Sequence, residues 1–534
     1  MKIKKILAMV LCTAMAISLF SGCEGAKQND VGTMTKEEIE TFEAKAGGLK
    51  LPLDNKRTEI TVLTESSHNN LSESTVIKEL SRRTGLKITV IAVPTAMVEE
   101  KAKVMVASKD NMPDIFGSME REQLNDIGVQ GALESILPHA DELPNFNKMF
   151  VEQPAEYKTE KVLKSWKAKD GNLYLFPGFG GVRDVNHGLL YRKDIFDKHN
   201  IPMWDGPDSY YEALKKLKSI YPNSTPMVQK KETSYFNRLA YSWGIQEWPG
   251  VYYDFDEKVW KYSSMDSTFR EFLDYTKKLY DEKLLDQEFL TTTQAAWTSK
   301  MTQPEQAFTT FDWIDRMDMF YDQAKSTCPE YDLRYGNPVG PTQKVVTIPA
   351  VNKGLVVKKS EKSGLALKLL DYLISDGGAE LMTCGIEGVT FNWNEDKTHA
   401  IPIGFEDGQT VGIKELEEKY GMCLPSFALR YDKACIYYNY TKKNQEAQDL
   451  INNKPGGGYL PEMPSLSFND EEKDIIGQYD SKCRKIGEEF ASNYILSAES
   501  GDAAWNDFLS RMKAAGAEEV VKVYNAAQAR YDQE

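Results

Sequence analysis

Between residues 58 and 118 the chain reads strand, helix, strand, helix, strand, and that order restricts the fold more than any other feature. Glu59–Thr64 alternates as a strand does, and a polar loop follows it. Over Ser74–Arg83, Val76, Ile77 and Leu80 share one helical face, with Gly85 as the stop. Leu86–Val93 is rich in β-branched residues, Val98–Ala107 is helical, and Pro113–Phe116 is a short buried strand ending at Gly117-Ser118. Strands joined by helices pair in parallel, so this part of the chain predicts an α/β layer with helical crossovers.

Further along, Asp170-Gly171-Asn172 turns a hairpin whose return strand is Leu173–Phe176, and Gly188–Arg192 is another strand, followed by a helix over Lys193–His199. Ser209–Ile220 and Phe269–Leu284 have helical periodicity. Gly354–Val357 is a strand, and Leu365–Ser375 is an apolar helix closed by Gly377-Gly378. After a Pro/Gly-rich stretch from Lys454 to Pro464 the remainder is helical, with Trp505, Phe508, Leu509 and Met512 in register. At 534 residues the chain exceeds one compact core, which predicts two large lobes.

The first residues carry an address. Lys2, Lys4 and Lys5 precede an apolar run from Ile6 to Phe20 that ends at Ser21-Gly22-Cys23. The run is too short to anchor a folded protein by spanning a bilayer, and it reads as an export signal over residues 1–22. It resembles the lipobox of bacterial lipoproteins, with Phe20 where Leu is preferred; the resemblance implies acylation of Cys23 by palmitate-type chains and attachment to a membrane. Residues 23–57, polar and poor in aromatics, then form a lipidated tether with one or two helical turns near Lys36–Ala44.

The formal charge is −15, and loss of the leader's three lysines makes it more negative. Such a surface repels phosphate backbones, which excludes nucleic acid as a partner. Beyond Cys12 in the leader and Cys23, the cysteines are Cys328, Cys384, Cys423, Cys435 and Cys483, without Cys-x-x-Cys or a Cys/His cluster, so no metal is expected. A Cys423–Cys435 disulfide and buried free thiols both fit that spacing. Gly-x-Ser-x-Gly, Walker A and His-Glu-x-x-His are missing, and no pair of carboxylates stands out, so no catalytic residue and no cofactor is assigned.

Five segments appear in one order. Met112-Pro-Asp-Ile-Phe116, Asp170-Gly-Asn-Leu-Tyr174 with Pro177, Leu190-Tyr-Arg-Lys-Asp-Ile-Phe196, Leu279–Phe289 and Gly385-Ile-Glu-Gly-Val389 resemble segments of extracellular solute-binding proteins of ABC sugar importers, in particular the long lipoprotein members that bind oligosaccharides. The resemblance implies the two-lobed, periplasmic-binding-protein-like α/β fold of class II topology, as in the maltose-binding proteins. It places lobe one at 58–188 with 355–395 and lobe two at 190–352 with 400–534, hinged at Gly188–Arg192 and Gly354–Val357. It implies a monomeric binder of oligosaccharide, not an enzyme, serving ABC permease subunits outside the cytoplasm. The calcium loop of alginate-binding relatives is replaced by Tyr221-Pro-Asn-Ser-Thr-Pro226, which lacks carboxylates, so no calcium is expected there.

A sugar site needs aromatic platforms and short polar side chains, placed beyond the C-terminal ends of parallel strands. That rule selects Glu65 and Ser66 after the first strand, Phe116 after the third, and Phe179 beside the first crossing. The aromatic platforms expected in lobe two are Trp243, Trp248, Trp297 and Trp313, with Asp312 beside Trp313, and Trp393 follows the Gly-Ile-Glu-Gly segment. Trp166, Trp260 and Trp505 are assigned to packing, and Arg192 to an ion pair. Two other readings remain open at this level: a binding lipoprotein for a non-sugar ligand such as a peptide, or a sensory partner of a membrane kinase. A glycan-processing enzyme is the third and least supported.

Overall fold

The computed structural model describes residues 33–108, 111–180, 183–231, 234–406, 411–435, 441–496 and 500–533; the leader and Cys23 lie outside them. Numbered in chain order, the strands of the first sheet are β1 (Glu59–Glu65), β2 (Lys87–Val93), β3 (Ile115–Phe116) and β4 (Leu175–Phe179). Then come β5 (His187–Arg192), a hairpin of β6 (Val251–Asp254) and β7 (Val259–Tyr262), β8 (Thr309–Trp313), β9 (Leu333–Tyr335), β10 (Val345–Val346) and β11 (Val351–Val357). A second hairpin, β12 (Phe391–Trp393) with β13 (Ala400–Pro402), and β14 (Tyr459–Leu460), which pairs with β10, complete the set.

The first sheet has the order β2-β1-β3-β11-β4. As predicted, β1 runs parallel to β2 and β3, whereas β11 arrives from far along the chain and lies antiparallel to β3 and β4. Layers of helix cover both faces: Ile60 and Val62 enter one core, and Leu63, next along the strand, enters the other. The helix Thr75–Thr84 ends where expected, at Gly85 with φ 72°; a Cβ there would lie 1.9 Å from the Asp54 carbonyl oxygen.

The second sheet is β8-β5-β9, all antiparallel, extended by single bridges from Met227 to Thr309 and Leu285. One face packs on the helices Pro207–Ile220 and Ser267–Asp281 and on the C-terminal helices Asp470–Leu496, Asp502–Ala515 and Ala517–Gln533. The other packs on Gln294–Thr302, Arg316–Ala324 and Lys442–Asn452. Gly188 in β5 admits the Tyr335 ring, which a Cβ would meet at 2.1 Å. The molecule is therefore a two-lobed α/β protein, with a core on each face of each sheet.

The structure departs from the sequence reading in five places. Residues 411–429, assigned to lobe two, pack in the first lobe, because Leu416, Met422, Leu424, Phe427 and Leu429 bury among its helices. The tether has the expected helical turns, over Lys36–Glu43, but it is not free along its length: Ala46, Leu49 and Leu51 sit in the same core. Gly188–Arg192 and Gly354–Val357 lie inside one sheet each, and the chain passes between lobes just before them, after Phe179 and after Tyr335. Gly377 and Gly378 do not close a helix; they lie in the next one, Asp376–Thr383, capped by the Ser375 hydroxyl. Cys435 pairs with Cys384, not Cys423, which is a buried thiol like Cys328 and Cys483. That bond ties the segment before the β12–β13 hairpin to the end of the 411–435 stretch.

Candidate functional site

Beyond the C-terminal ends of β1, β3 and β4, side chains from distant parts of the chain meet. Glu65 accepts hydrogen bonds from the hydroxyls of Ser118 (3.3 Å) and Ser426 (3.2 Å). Ser66 is buried and donates to the Glu417 carboxylate. Phe179 is half-buried, with its ring 5.6 Å from Phe150 and 6.5 Å from Tyr157, and its N–H donates to the Leu429 carbonyl at 2.6 Å. Nearby, the Lys353 ammonium lies 4.7 Å from the Tyr431 ring centre and donates to the carbonyls of Pro425 and Ala428. Loss of water around it pulls its pKa down to about 8.

In the second lobe β5 and β8 place His187 opposite Trp313, with the rings edge-on at 5.0 Å. Trp313 is 46% exposed, an unusual state for an indole on a strand. Beneath it Asp312, 2% exposed, accepts from the Trp313 N–H (2.8 Å) and is paired with Lys230 (2.8 Å) and Arg316 (3.0 Å). Both cations also lie over the Trp297 ring, at 5.0 and 5.4 Å. Asp312 is thus a positioning residue that fixes the end of β8.

Where the chain crosses between lobes there is a cavity of about 310 Å³. Its walls come from 184–189 on the first crossing, 338–339 and 344–349 on the second, and Arg238, Tyr241 and Phe311 of the second lobe. It opens beside the β5–β8 end that carries His187. The size lies at the lower end of the roughly 300–1,000 Å³ of ligand pockets, and its wall mixes apolar surface with a few polar groups.

Of the residues selected from sequence, Glu65, Ser66 and Phe179 stand at strand ends of the first sheet, and Asp312 and Trp313 at the end of β8 in the second. Phe116 and Trp297 are 0% exposed and Trp243 5%, so these three are core residues. Phe116 ends a strand covered on both faces; Trp297 donates to Thr310 Oγ1 at 2.8 Å; Trp243 packs on Phe272 and Tyr275. Trp248 is buried as well. Trp393 is half-buried in a small cluster with Phe391 and the Cys384–Cys435 bond, away from the cavity. Trp260 and Trp505 pack in the second core, and Arg192 is fully buried and paired with Asp194 at 2.6 Å. Arg238, Tyr241 and Lys344 escaped the sequence reading, since no local pattern links the helix Ser234–Ala240 to the second crossing.

The sequence signature of the bacterial extracellular solute-binding proteins matches residues 72–380, more than half of the chain. The chain belongs to that family. The solute-binding family works outside the cytoplasm, and among the described residues no helix is long and apolar enough to cross a membrane. Relatives include the polygalacturonan/rhamnogalacturonan-binding protein YtcQ of Bacillus subtilis, 23% identical over 74% of this chain and 75% of its own. Lipoprotein LipO of the same organism is 22% identical over 96% of each chain. Among solved structures, the alginate-binding protein AlgQ2 superposes with a TM-score of 0.66 at 21% identity, covering 90% of this chain and 99% of its own. An HMO-binding solute-binding protein from Bifidobacterium longum infantis gives 0.69 at 16% identity, covering 89% and 99%. These structures share the two-lobed fold with this solute-binding protein.

Proposed function

We propose that this solute-binding protein is a cell-surface lipoprotein, acylated at Cys23, that holds an oligosaccharide between its lobes and hands it to the permease of an ABC importer. The observation that carries this reading is Trp313, a half-exposed indole whose ring lies 5.0 Å from that of His187 in the cavity wall, on a strand end held by the Lys230–Asp312–Arg316 network. An indole face matches the C–H face of a pyranose, and the carboxylate and hydroxyls of Glu65, Ser118 and Ser426 on the facing lobe suit its hydroxyls. The relative named for binding polygalacturonan and rhamnogalacturonan supports a saccharide as the solute. No step of chemistry on the sugar is assigned, and the protein acts as a monomer.

The test is titration of the chain lacking its leader with a panel of oligosaccharides and peptides, followed by indole fluorescence and calorimetry. A saturable signal from saccharides alone is the expected result. Binding of peptides alone overturns the reading, and steady release of reducing ends from a bound oligosaccharide overturns the binder-only part of it. For the anchor, a Cys23→Ser chain is expected in the medium, whereas the parent stays with the membrane.

A further inference from the structure

Two cations in the wall of the crossing cavity have no counter-charge among the described residues. Arg238 and Lys344 are both half-buried and both line it. Neither side chain has a hydrogen-bond or ion-pair partner among the described residues. Other sequestered cations of this lobe are matched: Arg192 by Asp194 (2.6 Å), Lys230 by Asp312 (2.8 Å), and Arg183 by Asp315 (2.8 Å). The chain has 80 carboxylate side chains against 65 basic ones, so acids to pair with are plentiful. Asp184 is the carboxylate in the cavity wall, and it faces Lys433 at 3.8 Å and the Asn452 amide at 3.3 Å. A guanidinium has five N–H donors, and leaving them without acceptors where water is restricted is costly unless a ligand supplies the acceptors.

We infer that the cavity selects a negatively charged sugar, an oligosaccharide bearing uronate carboxylates, with Arg238 and Lys344 as the residues that tell it from its neutral counterpart. The inference rests on the saccharide reading and narrows it. A planar carboxylate accepts two parallel hydrogen bonds from a guanidinium fork, and Lys344 on the opposite crossing supplies a second, point-like positive charge. Phe311 and Tyr335 in the same wall, with Trp313 beside His187, leave apolar surface for the ring carbons. Because Lys344 sits on the segment joining the lobes and Arg238 on lobe two, a bridging carboxylate also ties the ligand to the hinge.

The experiment compares a short oligogalacturonide with the same oligosaccharide after its carboxyls are reduced to alcohols, by calorimetry at low and physiological salt. The acidic form is expected to bind at least about tenfold more tightly, with the advantage shrinking as salt rises. Arg238→Gln is expected to remove most of that preference, Lys344→Gln part of it, and Arg238→Lys to restore part. Lys485→Gln, an exposed charge remote from the cavity, controls for overall electrostatics, and thermal melts confirm that each variant is folded. Equal affinity of the parent for the two forms, or a preference undiminished in folded Arg238→Gln, overturns the inference. If a neutral oligosaccharide binds and the acidic one does not, the inference falls and the saccharide reading stands. If no saccharide of either kind binds, that reading falls first.

Discussion

Trp297 and Trp313 separate what an indole does in a core from what it does at a site. Trp297 is fully buried with its N–H bonded to Thr310 and two cations over its ring. Trp297→Ala is expected to cost about 3–5 kcal/mol of stability, read as a lowered denaturation midpoint. Trp313→Ala is expected to change stability by no more than about 0.5 kcal/mol. It should nevertheless weaken saccharide binding about tenfold. Unchanged affinity in Trp313→Ala would remove that indole from the site. From sequence the two look alike, each a tryptophan near an apolar stretch. Only depth distinguishes them, Trp297 lying on a helix packed against the sheet and Trp313 at the open end of β8, and depth comes from packing. Phe116 illustrates the same limit: the strand-end rule locates it correctly along the chain, but a central strand covered on both faces buries its last residue. Arg238 and Lys344 were invisible for another reason, since their meaning lies in partners they lack.

Whole elements were more legible than single residues, because periodicity survives without knowledge of neighbours. The β1–β3 alternation and the C-terminal helices follow the predicted order closely. The 411–435 stretch was misassigned because its hold on the first lobe is one short helix, Ile413–Tyr420, the Cys384–Cys435 bond and scattered apolar side chains, too little periodicity to show which lobe they join. That bond closes a loop of sequence separation 51, for which chain entropy gives about 4 kcal/mol. Cys435→Ser, or reductant on the parent, should lower the urea midpoint of the first lobe, with Cys328, Cys423 and Cys483 unreactive until unfolding. A midpoint insensitive to reductant would show that the bond contributes nothing.

The helix Ser363–Ile374 offers a second test. Its Asp371, fully buried, accepts from the Phe146 N–H (2.7 Å) and from the backbone and side-chain amides of Asn145 (3.2 and 2.9 Å). Burial outweighs these bonds and raises the pKa to about 6. The folded state therefore holds a proton that the unfolded state has released between roughly pH 4 and 6. This group's contribution falls as pH rises through that window, is least favourable above it, and is relieved on acidification. Asp371→Asn should flatten that part of the stability–pH curve, measured by urea melts at pH 5 and 7; an unaltered slope refutes the assignment.

At the scale of the molecule, the described residues bring the lobes together in two ways of different character. One is the crossings, of which the second pairs through β10 with β14. The other is a polar seam where Arg121 meets Ser465 (2.9 Å), Lys161 meets the Glu462 carbonyl (2.8 Å), Lys169 meets Asp470 (3.3 Å) and Lys473 meets Asp126 (3.8 Å). Exposed pairs of this kind are each worth about 0–1 kcal/mol and weaken with salt, so the seam can slide where the crossings can only bend. A ligand touching both lobes gains contacts in the closed arrangement and shifts the population toward it by its difference in affinity for the two states. Small-angle scattering of the chain lacking its leader should show a smaller radius of gyration at saturating saccharide. Salt that weakens the seam should change the free protein's radius more than the bound one's. A radius that stays fixed while calorimetry shows full occupancy would mean that the lobes form one rigid body, and that the permease must read the ligand by some other feature than closure.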